Sequence, residues 1–229
     1  MPAIAVIILA LLVWLHPTAF AARPMITDDA RIVDPGSCQL ESWVKRNQSG
    51  HEVWALPGCN VTGNLELTAG GAKVNNGEGS ASTTLVQAKT LFRPISSNGW
   101  GAGLTVGTVE YLPLARRSRD LYAYIPLSFS FADDAFVLHL NTGWLREAGR
   151  GTHRLTWGLG TELALSQRSW LIAEAFGQDQ GRPFFQAGWR QWLVPDRVQL
   201  DATYGDRGGG GTGEKWFSLG VRFLSPKLF

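Results

Sequence analysis

Several residue groupings in this chain have types and spacings that chemistry can use. His139 and Asn141 lie two apart, with Ser128 and Ser130 a short distance upstream, the composition of a hydroxyl nucleophile, its base and an orienting amide. Asp28 and Asp29 are adjacent acids that can hold a cation. The run of glycines at 208–211 invites comparison with phosphate-cradling loops, but no Lys-Ser or Lys-Thr follows it and no helix begins there. Arg116, Arg117 and Arg119, with Arg146, Arg150 and Arg154, form a basic set suited to bidentate contact with phosphate oxygens. Each has a plainer reading: an interior histidine in hydrogen bonds, two hydrated acids, a flexible loop, a soluble basic loop. No cluster of Cys or His has ligand spacing and no nucleotide fingerprint is present, so neither a metal nor a cofactor is expected.

The elements that must position these residues are strands. Twenty-seven Gly, 10 Trp, 11 Phe and only 17% charged residues describe a chain of strand and turn formers. From Cys38 onward, stretches with period-two alternation are separated by turn residues, twelve in all, and no segment reads as an amphipathic helix. Connections after odd strands, such as 75–82, 114–120, 147–152 and 206–214, are longer than those after even strands, such as 132–134, 166–169 and 194–196. An even strand number with that asymmetry is the pattern of bacterial membrane barrels, with short periplasmic turns and longer outer loops.

Residues 3–14 form the only long uncharged apolar run, too short for a spanning helix of about 20 residues. With Ala19-Phe20-Ala21 behind it, the run reads as a secretory signal peptide over residues 1–21, cleaved after Ala21, although no Lys or Arg precedes it. Its removal takes away no charged residue, so the net charge stays at +2 and gives no reason to expect a nucleic-acid partner. Residues 22–37 show no sustained period and read as an irregular periplasmic leader, leaving 38–229 as the barrel.

The first hairpin fixes its own register. If residues 47–50 make the turn, opposed residues have numbers summing to 97, which aligns Cys38 with Cys59, Trp43 with Trp54 and Lys45 with Glu52. A disulfide, an aromatic pair and an opposite-charge pair all follow from one alignment.

Alternation then divides each strand into an apolar and a small or polar face. In WFSLGVRF, 216–223, Phe217, Leu219, Val221 and Phe223 oppose Trp216, Ser218, Gly220 and Arg222. Large aromatic outer faces, glycine-rich opposite faces and a scatter of Trp and Tyr near strand ends (Trp100, Tyr111, Trp144, Trp170, Trp192, Tyr204, Trp216) favour a barrel with lipid outside. Lipid cannot hydrogen-bond an open edge, so strand twelve must pair with strand one. The expected fold is all-β, a closed antiparallel transmembrane barrel of about 12 strands with up-and-down order. Its lumen-lining candidates are Glu66, Lys89, His139, Asn141, Glu162, Arg190, Asp201 and Arg222, with Glu41, Lys45, Glu52 and Glu174 in the same set; acids and bases are mixed in it, which reads first as an internal ion-pair network and second as a polar path for small solutes.

FSLGVRF and the terminal Phe229 resemble the C-terminal signal of bacterial outer-membrane β-barrel proteins, although LSPKLF extends past the strand. RPMITDDA (23–30) and CQLESW (38–43) are similar to the start of small transporters grouped with the phenol-degradation MetA-type outer-membrane proteins. The resemblance implies an outer-membrane location, a transporter or channel for small solutes rather than an enzyme, and lipid, lipopolysaccharide and the barrel-assembly machinery as partners. The alternatives are a non-conducting structural or adhesion barrel, plugged by the leader or by paired charges in its interior, and, behind it, a lipid-modifying enzyme.

Overall fold

The computed structural model describes residues 25–76, 79–112, 118–209 and 214–229; the expected signal peptide, Arg116 and Arg117 lie outside them. Twelve strands follow in order: β1 Cys38–Asn47, β2 His51–Asn60, β3 Leu65–Asn75, β4 Ser80–Arg93, β5 Trp100–Leu112, β6 Ser118–Phe131, β7 Phe136–Glu147, β8 Thr152–Ser166, β9 Ser169–Gln178, β10 Phe184–Val194, β11 Val198–Arg207 and β12 Trp216–Leu224. Each pairs antiparallel with its sequence neighbours, and β1 pairs with β12 from Gln39 opposite Leu224 to Asn47 opposite Trp216, closing the cylinder. Every expected strand is present within a few residues, and the fold is the expected all-β closed barrel.

The two ends differ in turn chemistry. We call the end where β1 starts and β12 stops the base, and the other the mouth. At the base, Asn98, Ala132, Asp133, Asp134 and Asp196 take positive φ, a conformation that Asn and Asp tolerate better than most residues. Register shifts at Leu91/Arg93, Ala164/Ser166 and Trp192/Val194 also cluster there, where bulges add local twist. The difference in loop length is smaller than alternation suggested. The mouth turn after β1 is only residues 48–50, closed by Asn47 Oδ1 accepting from the amides of Ser49 and Gly50, whereas 94–99 at the base is comparatively long.

The register of the first hairpin is the one the arithmetic requires, with Cys38 opposite Cys59, Trp43 opposite Trp54 and Lys45 opposite Glu52. Cys38 and Cys59 are joined by a disulfide with Cα atoms 4.0 Å apart. The indoles of Trp43 and Trp54 stack at 5.3 Å between centroids.

The alternation resolves into two environments. Leu121, Leu155, Leu163, Phe217, Leu219 and Phe223 are exposed on the outer wall, while Ser218, Arg222, Glu162 and Thr105 on the opposite faces are buried inside. The solvent for the outer wall is hydrocarbon, because a cylinder of leucine and phenylalanine facing water would be strongly unfavourable. Leu219→Arg, at mid-strand on that wall, should therefore cost about 2 to 4 kcal/mol of folding stability in lipid. Arg222→Ala should leave the outer wall intact; equal losses in urea titrations of the two variants would contradict the assigned faces.

The aromatic scatter divides more sharply than strand-end position suggested. Trp100, Tyr111, Trp144 and Tyr204 are exposed on the wall as interfacial rings, but Trp170, Trp192 and Trp216 are 3%, 1% and 7% exposed and turn inward. The reason is parity: Trp216 shares its face with Ser218 and Arg222, and Trp192 shares its face with Arg190.

Candidate functional site

The barrel interior is occupied by the chain itself. Residues 25–37 are irregular and run into the barrel from its base. Gly36 and Ser37 bond to Asn60 at the base, and Leu228, in the segment after β12, donates to the Gly36 carbonyl at 2.7 Å. From there the segment climbs to mid-height, burying Val33, Ala30, Asp29, Thr27 and Met25.

Without strand pairing, the leader's backbone amides must find acceptors elsewhere. They find side chains on the inward faces of the strands. Val33 N–H donates to Glu66 Oε2 at 2.9 Å, Ala30 N–H to Ser128 Oγ at 2.8 Å and Asp28 N–H to Asn141 Oδ1 at 2.7 Å. Glu174 takes two, from Ile26 at 2.8 Å and Thr27 at 2.6 Å. Asn141 returns a bond to the Asp28 carbonyl at 2.8 Å, and Asn60 Nδ2 donates to the Val33 carbonyl at 2.7 Å. A ladder of acceptors on four strands, with Asn60 on a fifth donating in return, thus replaces a sheet partner.

The leader's acids meet a cation supplied by the wall. Lys89 Nζ lies 2.9 Å from Asp28 Oδ1 and 3.4 Å from Asp29 Oδ1, and the Tyr124 hydroxyl donates to Asp28 Oδ2 at 2.7 Å. Arg31 reaches Asp29 at 3.3 Å and Glu162 at 3.9 Å. Burial alone would raise the Asp29 pKa, but Lys89 and Arg31 outweigh it and hold this carboxyl well below the usual carboxylate range. The lysine stands where a metal would, and among the described residues no group of three or more His, Cys, Asp or Glu is placed to hold one.

Beside the leader is a second buried network. Arg190 grips Asp201 with two nitrogens, Nε to Oδ1 at 3.0 Å and Nη2 to Oδ2 at 2.7 Å, and its Nη1 donates to Glu162 Oε1. His139 continues the chain, with Nδ1 2.8 Å from Ser128 Oγ and Nε2 3.5 Å from Glu162. Ser128, His139 and Glu162 are arranged like a nucleophile, base and acid, but all three are buried and Ser128 Oγ already accepts the Ala30 amide. The contact with Ala30 makes this trio a support for the leader.

Of the residues named from sequence, Glu66, Asn141, Lys89 and Glu174 thus touch the leader, His139, Glu162, Arg190 and Asp201 form the adjoining network, and Arg222 Nε donates to Gln39 at 2.6 Å. Lys45 and Glu52 are higher, near the mouth, 3.9 Å apart. Arg119 pairs with Glu110, and Arg150 and Arg154 with Glu147.

Two glycines on β8 make room for the leader. A Cβ on Gly158 would lie 2.6 Å from Thr27 Oγ1, and one on Gly160 would lie 2.7 Å from the Met25 methyl. Gly158→Val should therefore push the segment off the wall without touching strand pairing. A cysteine placed at Thr27 is expected to react with a water-soluble maleimide much faster in the Gly158→Val background; equal rates would mean that the leader does not rest on this face.

Above the leader the lumen opens. A cavity of about 350 Å³ runs toward the mouth, floored by Met25 and Ile26 and walled by Trp43, Trp54, Tyr122, Tyr124, Phe176, Phe184 and Trp216. Beside the leader the remaining gap is about 30 Å³, next to Asp29, Lys89 and Arg222, room for about one water molecule. A lumen filled by the leader is among the alternatives the sequence leaves open; the aromatic chamber was not foreseen, although the shared parity of Trp216 with Ser218 and Arg222 was a usable signal for it.

A closed cylinder with a hydrocarbon-facing wall and a polar, partly hollow interior defines an outer-membrane-type β-barrel. A family model described as uncharacterised conserved protein UCP029691 matches residues 9–223, and the chain belongs to that family. No curated protein matches its sequence. Among solved structures it is similar in fold to the KdgM porin, with a TM-score of 0.62 and 10% identity over 81% of this chain and 98% of that one. The NanC porin matches with a TM-score of 0.58 and 10% identity, over 81% of this chain and 98% of that one. The COG4313 outer membrane channel from Pseudomonas putida F1 matches with a TM-score of 0.53 and 11% identity, over 86% of this chain and 97% of that one.

Proposed function

We propose that this protein is a channel for small solutes in the bacterial outer membrane, held shut at mid-height by its own residues 25–33. The observation that carries the proposal is the contrast inside one lumen: a chamber of about 350 Å³ on the mouth side and a gap of about 30 Å³ beside the leader. A barrel with a purely structural role has no need of a hollow upper half. The base would face the periplasm and the mouth the exterior, consistent with the tight turns and the β1 start at the base.

Several further points support this reading. The fold neighbours are porins and channels, one of them solved as the KdgM porin in complex with disordered oligogalacturonate. The likeness of residues 23–30 to the start of MetA-type transporters falls on the segment that closes the lumen. Cleavage of residues 1–21 after Ala21 is proposed on the apolar run at 3–14 and the Ala19-Phe20-Ala21 triplet behind it. Lipid around the wall, lipopolysaccharide at the Arg119, Arg150 and Arg154 rim, and the assembly machinery reading β12 complete the proposed partners.

The test is conductance. In planar bilayers the intact chain should be closed for most of the time, with brief single-channel steps. A folded barrel that stays silent both intact and without its leader supports the second reading, a non-conducting barrel, which the buried Arg190–Asp201–Glu162 cluster favours.

A further inference from the structure

We infer that the chamber above the leader is a binding site for a small planar aromatic solute carrying no more than one or two polar groups. This names the solute class of the channel proposed above and rests on that reading for its transport consequence.

The lining supplies the argument. Rings project into the chamber from β1, β2, β6, β9, β10 and β12, and Leu56, Leu85, Met25 and Ile26 fill the surface between them. Aromatic faces gain from offset or edge contact with another ring beyond simple area burial. The volume, about 350 Å³, is suited to a molecule of one or two fused rings.

Polar groups decide between an aromatic ring and a sugar, which also stacks on indoles. A sugar brings several hydroxyls, each of which needs a partner once it leaves water. Here the polar atoms of the wall are directed at one another. Trp54 Nε1 donates to Glu52 at 2.9 Å, Tyr122 to Gln87 at 2.9 Å, Trp216 Nε1 to Gln186 at 3.1 Å, and Tyr124 to Asp28 at 2.7 Å. The Lys45 ammonium sits 4.9 Å over the Trp216 ring and 3.9 Å from Glu52. Ser218 also lines the chamber; it is 2% exposed, and its Oγ has no hydrogen-bond partner among the described residues. Lys45, Glu52, Gln87 and Gln186 line it too, but with these groups turned to one another and to the rings, the surface offered to a solute is mostly ring face, which suits a planar ring with few polar groups better than a sugar.

Equilibrium dialysis of indole against the full mature chain in detergent, with empty micelles as the blank, tests this. One saturable site is expected, with glucose showing none. Trp54→Ala should weaken indole binding about tenfold, Ser218→Ala should weaken it less, and Trp189→Ala, on the outer wall, should leave it unchanged. Heat-modifiable migration on a gel verifies that each variant is folded. Indole uptake no greater than that of empty micelles, equal binding by folded Trp54→Ala, or glucose bound as tightly as indole would each overturn the proposal. The two readings fail separately: saturable indole binding in a barrel that never conducts removes the channel and keeps the site, while conductance without indole binding does the reverse.

Discussion

Deletion of residues 25–33 is expected to convert a mostly closed barrel into one that gives long-lived open steps in planar bilayers, with its heat-modifiable migration unchanged. The leader contributes no strand, so all twelve pairings and the Cys38–Cys59 link survive its loss. The side chains it leaves behind, Glu66, Lys89, Asn141 and Glu174, are polar, and a lumen that fills with water solvates them instead of stranding them in a dry interior. The gap of about 30 Å³ then merges with the chamber above it. Persistent silence from a folded deletion variant would refute closure by the leader.

Acid should release the Asp29 contact only late. Asp29 has a depressed pKa in the folded state, so its contribution is complete above the ordinary carboxylate pKa of about 4 and is lost as pH falls below that toward the folded value. The difference in conductance between the intact chain and an Asp29→Asn variant is therefore expected to be alike at pH 7 and pH 5 and to vanish only below about pH 4.

Arg190→Met is expected to destabilise the barrel by about 3 to 5 kcal/mol, because it leaves Asp201 and Glu162 buried without their cation. Arg190 is fully buried and holds both acids at once. The double variant Arg190→Met with Asp201→Leu should recover much of the loss, since removing both partners leaves fewer unpaired charges. Arg150→Ala, at an exposed pair with Glu147, should change nothing measurable. Urea unfolding in lipid vesicles measures all three, and a loss for Arg190→Met no larger than for Arg150→Ala would show that the cluster is solvated in the membrane.

The Arg190 cluster and the leader also mark how far the sequence could be read. Alternation gives the twelve strands and the inward parity of Glu66, Lys89 and Arg222, because a side chain in a strand can point only to one face or the other. The sum of 97 in the first hairpin gives a register, because Cys38, Trp43 and Lys45 all gain from it together. Parity also assigns Trp216 to the inward face beside Ser218, but a tendency of Trp to lie near strand ends competes with it, and only the packed barrel shows which prevails.

By itself, then, the sequence determined the strands, their order, their closure and which face meets lipid, all consequences of local alternation in a chain that cannot leave a sheet edge unpaired. The tertiary structure alone decided that residues 25–33 enter the lumen and that aromatic rings wall the space above them. The leader's bonds run to Glu66, Ser128, Asn141 and Glu174, 33 to 148 residues away, and an irregular segment docked on scattered side chains carries no period from which those partners can be read.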